Sequence, residues 1–234
     1  MTDTTEPTEE SVRAEVRAWL EANWNPDHGL VEWREKVAVE KRASFRDDDY
    51  WGRGVSGFGD PKAKVLVLGL APAAHGGNRT GRVFTGDRSG DFLFAGLHRA
   101  GFADRPTSTH RGDGLRMLRA YVAAVVRCAP PGNRPTPAER DRCLPFLERE
   151  IVALPDLRVV LALGGFAWDG ALRALATLGH VARPKPRFGH GAEATVGPFA
   201  LIGCFHPSQQ NTFTGRLTPA MLDAVLARAR TLVG

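Results

Sequence analysis

Hydrophobic residues gather into four runs along the chain, at residues 65–68, 121–126, 157–163 (with Arg158 near its start) and 199–205 (with Gly203 inside it). Runs this short and continuous predict strands buried on both faces, because a half-exposed strand would alternate apolar with polar residues. Each run stops abruptly: at Gly69, at Cys128-Ala129-Pro130-Pro131, at Gly164-Gly165, and at His206-Pro207-Ser208. Between the runs the apolar spacing becomes helical. Candidate N-caps at 85–91 precede an amphipathic run at 92–97, and Thr136-Pro137-Ala138-Glu139 combines a cap, a first-turn proline and a glutamate. That second helix is expected to reach about residue 154, interrupted or offset at Pro145. Further helices are predicted at 166–178 and after Thr218-Pro219, and upstream at 11–23, with Val12, Val16, Trp19 and Leu20 on one side, and at 30–45. Strands alternating with helices imply an α/β protein, a three-layer α/β/α sandwich around a mainly parallel four-stranded sheet. Residues 31–234 form its main domain, and residues 1–30 an N-terminal tail and helical appendage. Ligands of such folds bind outside the carboxyl ends of the strands, which brings all four breaks to one rim.

Charge sharpens the choice of ligand. The net charge is +5, but residues 1–60 carry 8 Lys+Arg against 14 Asp+Glu, whereas residues 61–234 carry 23 against 12. A basic main domain suits a polyanion such as nucleic acid, or else reflects solvated basic faces. Tyr50, Trp51 and Phe58 in a Gly-rich loop are either local core or a stacking platform for bases. No apolar run is long enough to cross a bilayer, and the first residues lack the basic and apolar regions of a signal peptide, so a cytoplasmic protein is expected, without a membrane partner and as a monomer. Three cysteines, an odd number, agree with a reducing compartment.

The segment 69–91 joins a strand, a glycine-bearing loop and a helix start, a combination that favours anions. Gly69-Leu70-Ala71-Pro72 lacks the glycine spacing of a dinucleotide site, and neither a phosphate-binding G-x-x-x-x-G-K-[ST] loop nor a G-x-S-x-G elbow occurs. What remains is an apolar strand end, a carboxylate at Asp87 and a histidine at His206.

Three stretches carry a resemblance. They are Gly69-Leu70-Ala71-Pro72-Ala73-Ala74-His75-Gly76 with Asn78-Arg79-Thr80-Gly81-Arg82 and Phe84-Thr85-Gly86-Asp87, then Arg127-Cys128-Ala129-Pro130-Pro131-Gly132-Asn133, and His206-Pro207-Ser208-Gln209-Gln210-Asn211-Thr212-Phe213-Thr214-Gly215-Arg216. In this order and at strand ends, they resemble the uracil-DNA glycosylase superfamily, and within it family 5. The resemblance implies an enzyme that hydrolyses the N-glycosidic bond of uracil in DNA, with no cofactor required for the chemistry; a non-catalytic binder of uracil-containing or damaged DNA is the alternative. The base pocket would be built from Gly69, Leu70, Ala71, Phe84 and Ala124. Ala71 stands where related enzymes place a polar, water-activating residue, so that role moves to Asp87, with Asn78 as second candidate. Asp87 can equally be a helix N-cap. His206 would donate a hydrogen bond to the leaving base, or be part of a structural turn. The loop bearing Ser208, Gln209, Asn211 and Arg216 resembles the family's minor-groove wedge, and Arg79, Arg82 and Arg216 would contact phosphates or be solvated. Ala124 near the place of a uracil-reading Asn implies relaxed discrimination, extending to bases such as hypoxanthine.

The chain also departs from the family. A four-cysteine 4Fe-4S cluster is usual there, and here only Cys128 and Cys143 match; Trp24 and Asp27 stand about where the early pair would be. Cys204 falls inside a predicted strand. Four thiolates cannot be assembled from this set, so a standard cluster is not expected. Residues 11–26 are instead similar to the leading helix of an acyl-CoA dehydrogenase, with Trp19, Leu20 and Trp24 available to pack where a cluster would tie the chain down.

Overall fold

The structure, a computed structural model, describes residues 29–234 together with Ser11, Ala14 and Ala18. The packing expected of Trp19, Leu20 and Trp24, the position of Asp27 and the bulk of the appendage lie outside the described residues. The elements in order are α1 (Gly29–Glu40), β1 (Phe58–Gly59), β2 (Val65–Gly69), α2 (Gly77–Thr80), α3 (Arg88–Arg99), β3 (Ala120–Ala124), α4 (Pro137–Val152), β4 (Val159–Leu163), α5 (Gly165–Thr177), β5 (Glu193–Val196), β6 (Phe199–Cys204), α6 (Gln209–Phe213) and α7 (Pro219–Val233).

The four predicted strands are β2, β3, β4 and β6, and they form the parallel centre of a sheet ordered β1-β3-β2-β4-β6-β5. The sheet has six strands rather than four, because an antiparallel strand closes each edge: β1 on β3 and β5 on β6. These two are not readable as apolar runs. β1 is two residues long, and β5 (Glu-Ala-Thr-Val) buries only Val196. Edge strands that short resist pairing with other chains.

The strands bury every central residue, and the period of two sorts their side chains to opposite faces. Leu66, Leu68, Ala123, Val160 and Ala162 meet Leu144, Leu147, Trp168 and Leu175 from α4 and α5. Val65, Val67, Val122, Leu161 and Ile202 meet Leu93, Phe94, Leu97, Leu222 and Leu226 from α3 and α7. Three layers with an apolar core on each side of the sheet follow from that alternation. α4 starts with the expected capping box between Thr136 and Glu139, and it runs through Pro145 without a break. No helix among the described residues is long and apolar enough to cross a membrane.

One buried ion pair locks the end of β3 to α4. Arg127 Nη1 and Nη2 donate to Glu150 Oε1 and Oε2 at 2.8 and 2.6 Å, and Glu150 Oε1 also accepts from Gly57 N at 2.8 Å, just ahead of β1. Removing one partner strands the other charge in the core. Arg127→Met is therefore expected to destabilise the fold by roughly 3–5 kcal/mol, with the double change Arg127→Met/Glu150→Leu recovering part of the loss, read from urea midpoints at unchanged slope.

Candidate active site

The carboxyl ends of β2, β4 and β6 open onto a pocket of about 620 Å³. Leu70, Ala71, Ala73, Phe84 and Asp87 line it from the segment after β2, Gly164, Gly165 and Phe166 from the start of α5, and His206, Ser208, Gln209 and Gln210 from the segment after β6. The strand breaks thus converge as the sequence implies.

Gly69 is present for a packing reason. A Cβ there would lie 2.5 Å from the Phe84 ring, which fills the space behind the strand end. Phe84 adopts a left-handed backbone (φ 52°), uncommon for a bulky side chain, and this turns its ring toward His206, with centroids 5.7 Å apart and planes at 35°. Gly69→Ala is accordingly expected to displace Phe84 and lower uracil excision while leaving duplex affinity near wild type, which single-turnover rates and fluorescence anisotropy separate.

Asp87 is the helix N-cap that the sequence allowed, and it also stands on the pocket wall. At the start of α3 its Oδ1 accepts from Gly90 N at 2.9 Å. Its other oxygen lies 2.3 Å from where a Cβ on Gly76 would be, so a bare backbone at Gly76 leaves room for the carboxylate. Burial raises its carboxyl above the ordinary value, opposed by the N–H groups of Gly90 and Ser89. His206 is half-buried, and desolvation pushes its imidazole down to about 4, leaving it neutral at physiological pH. Asn211 Nδ2 donates to His206 O at 2.8 Å, so Asn211 fixes the turn that carries the histidine. Ser208 caps α6, its Oγ accepting from Asn211 N at 3.4 Å, while Gln209 is exposed at the mouth.

Several residues expected at the ligand lie elsewhere. Asn78 is fully buried, does not line the pocket, and donates from Nδ2 to Arg34 O at 3.1 Å, tying α2 to α1. Arg79 donates to Asp48 Oδ2 at 2.6 Å, His75 O at 2.8 Å and Gly86 O at 3.0 Å, and lies 4.0 Å over the Phe45 ring. It braces the loop that presents Asp87. Arg82 is 5% exposed and bonded to Asp113, Ser108 and Thr85. Burial would raise Asp113, but its hydrogen bonds from Arg82 and from the N–H groups of Leu115 and Thr109 prevail and hold its carboxyl well below the usual range. Neither arginine presents a free guanidinium to DNA. Arg216 is exposed, with its guanidinium 4.7 Å over the Phe205 ring. Ala124 is wholly buried and paired with Gly69, in the core behind the pocket rather than on its wall.

The structure adds residues to which the sequence reading gave no site role. Gly132, Asn133 and Arg134 line the pocket, and Gly132 and Asn133 are consecutive left-handed residues (φ 59° and 55°). That conformation turns the chain so that Asn133 and Arg134 both stand on the pocket wall. The signal is the Pro-Pro-Gly-Asn stop itself, in which Gly and Asn are the residues that tolerate positive φ.

Cys128 and Cys143 are buried on the same face of the sheet, and burial raises both thiols, Cys128 to about 11. Arg34 Nη1 donates to Cys128 Sγ at 3.0 Å. Cys204 lies on the opposite face, its thiol pushed up to about 12. With three cysteines in the sequence and Cys204 on the other face of the sheet, these residues do not fit a four-thiolate cluster.

A rim of parallel strand ends thus surrounds a pocket with a carboxylate and a neutral imidazole on its walls, an α/β site able to hold a flat heteroaromatic group. A family model described as "Uracil DNA glycosylase superfamily" matches residues 56–230. The chain is 58% identical over 207 residues to a type-5 uracil-DNA glycosylase of Mycobacterium tuberculosis (strain CDC 1551 / Oshkosh), covering 88% of this chain and 76% of that protein. It is 50% identical over 206 residues to a type-5 uracil-DNA glycosylase of Thermus thermophilus, covering 88% and 91%. A type-4 uracil-DNA glycosylase of Pyrobaculum aerophilum shows 35% identity over 138 residues, 58% of each chain. The chain belongs to the type-5 branch of the uracil-DNA glycosylase superfamily.

Proposed function

We propose that this protein is a monofunctional DNA glycosylase that hydrolyses the N-glycosidic bond of uracil in DNA and leaves an abasic site. The observation that carries the reading is the presence of Asp87, Phe84 and His206 on one pocket. A target nucleotide turned out of the duplex places its base against Phe84 and His206. As the C1′–N bond lengthens, negative charge grows on the base and positive charge on the sugar. Neutral His206 donates a hydrogen bond to the base oxygen, and ionised Asp87 stabilises the sugar cation. Asp87 then takes a proton from the water whose oxygen bonds to C1′, and that proton leaves with the base, so the carboxylate is restored.

The amides at the pocket, Asn133, Gln209 and Gln210, all belong to the segments after β3 and β6. Base recognition by side-chain amides on such segments, which can donate or accept as the base requires, supports a range that extends from uracil to other deaminated bases such as hypoxanthine. A labelled duplex with one uracil or one hypoxanthine, incubated with the protein and then treated with alkali, tests the reading. Strand breakage at the modified base is expected, and an intact strand alongside measurable binding would leave a binding protein instead.

A further inference from the structure

The densest short run of basic residues, Arg183-Pro184-Lys185-Pro186-Arg187 between α5 and β5, contributes nothing to the pocket wall. It is nevertheless held firmly against the rim. Trp168 Nε1 donates to Pro186 O at 3.1 Å, and Lys185 Nζ lies 2.7 Å from Asp169 Oδ1, both partners being on α5. Phe188 packs edge-on to Trp168 (centroids 6.0 Å, 67°) and tilted against Phe205 (6.3 Å), the residue before His206. The chain then lies so close to β6 that a Cβ on Gly203 would meet Gly189 O at 2.3 Å, and it is stapled there by Gly191 N to Gly203 O (2.7 Å) and Gly203 N to Ala192 O (2.8 Å). Phe188 also reaches within 3.5 Å of a Cβ position on Gly165, a pocket residue. The segment is thus an ordered ledge on the β5 side of the mouth. On it, Arg183 and Arg187 are exposed and make no ion pair among the described residues.

We propose that this ledge is a second grip on the DNA backbone, in which Arg183 and Arg187 each contact a phosphodiester flanking the extruded nucleotide. The proposal rests on DNA being the substrate. The chemistry points to phosphate because Arg183 and Arg187, exposed and without an ion pair among the described residues, are carried on a segment held at the rim by bonds and ring packing that involve neither guanidinium. Need points the same way: Arg79 and Arg82, the cations of the loop after β2, are committed to Asp48 and Asp113. Exposed Arg88 lies over the Phe213 ring of α6 and exposed Arg216 over Phe205, so the ledge adds two further exposed cations beside those of the α6 segment.

The test compares Arg183→Ser/Arg187→Ser with Arg99→Ser/Arg228→Ser, which changes the net charge equally by removing arginines paired to Asp223 and Glu193. Affinity for a duplex without uracil is measured against salt concentration, and excision of uracil is measured in single turnover at saturating protein. For the ledge variant the slope of log affinity against log salt should fall by about two, one for each phosphate no longer neutralised, with the saturated rate unchanged. Arg183→Lys/Arg187→Lys should retain most of the slope. A ledge variant whose slope matches that of the paired-arginine control overturns the proposal, whatever its thermal stability. Absence of strand breakage by the wild-type protein would instead overturn the glycosylase reading and leave the slope comparison interpretable.

Discussion

Asp87→Asn is expected to lower the single-turnover rate of uracil excision by roughly 10²–10⁴-fold, the range for losing a positioned general base, with duplex affinity retained. Asparagine is as good an N-cap as aspartate, so the start of α3 survives the change and the loss reports the charge rather than the helix. Stability should move the other way. Burial holds the Asp87 carboxyl above its ordinary value of 3.8, so the folded state binds that proton more tightly than the unfolded state. Stability contributed by this group therefore falls as pH rises from 3.8 through the folded value, and at neutral pH the ionised carboxylate is a net cost. Asp87→Asn should consequently melt no lower than wild type at pH 7, a pattern that separates a functional carboxylate from a purely structural cap. A near wild-type rate would shift water activation to another group, with Asn133 the polar candidate on the segment after β3.

The physical reason that Asp87 and His206 are readable in the sequence is that local rules place both. One sits between a strand break and an amphipathic helix, the other at a His-Pro stop after an apolar run, and each lands on the rim because parallel strands all end there. Asn78, Arg79 and Arg82 mislead for the converse reason. Their partners Arg34, Asp48 and Asp113 lie 44, 31 and 31 positions away, and polarity in a glycine-rich loop looks the same whether it meets ligand or scaffold. The central strands are legible through continuous burial, whereas β1 and β5 depend on pairing with β3 and β6 and have little apolar pattern of their own. A loop that must hold a carboxylate at a fixed point needs internal bonds. Arg79 reaching Gly86 O, directly before Asp87, shows where that polarity went.

His206→Ala is expected to reduce the excision rate by roughly 10²–10³-fold, the usual effect of removing one donor to a developing anion. The form of the pH dependence is the sharper test. Desolvation lowers the imidazole to about 4, so the folded protein takes up this proton less readily than the unfolded chain, whose ordinary value is 6.5. Stability from this residue is then complete above 6.5 and declines as pH falls toward 4. The rate should show no step near 6.5 in the wild-type protein, since the donor is neutral on both sides of it. Were the imidazolium the working form, acidification through 6.5 would accelerate excision. Nitrogen-15 spectra of the histidines should find one ring with a midpoint near 4, absent from His206→Ala. A neutral donor suits the site because a fixed cation beside Phe84 would have to be desolvated before any base arrived, whereas an N–H dipole gains its strength as charge moves onto the leaving base.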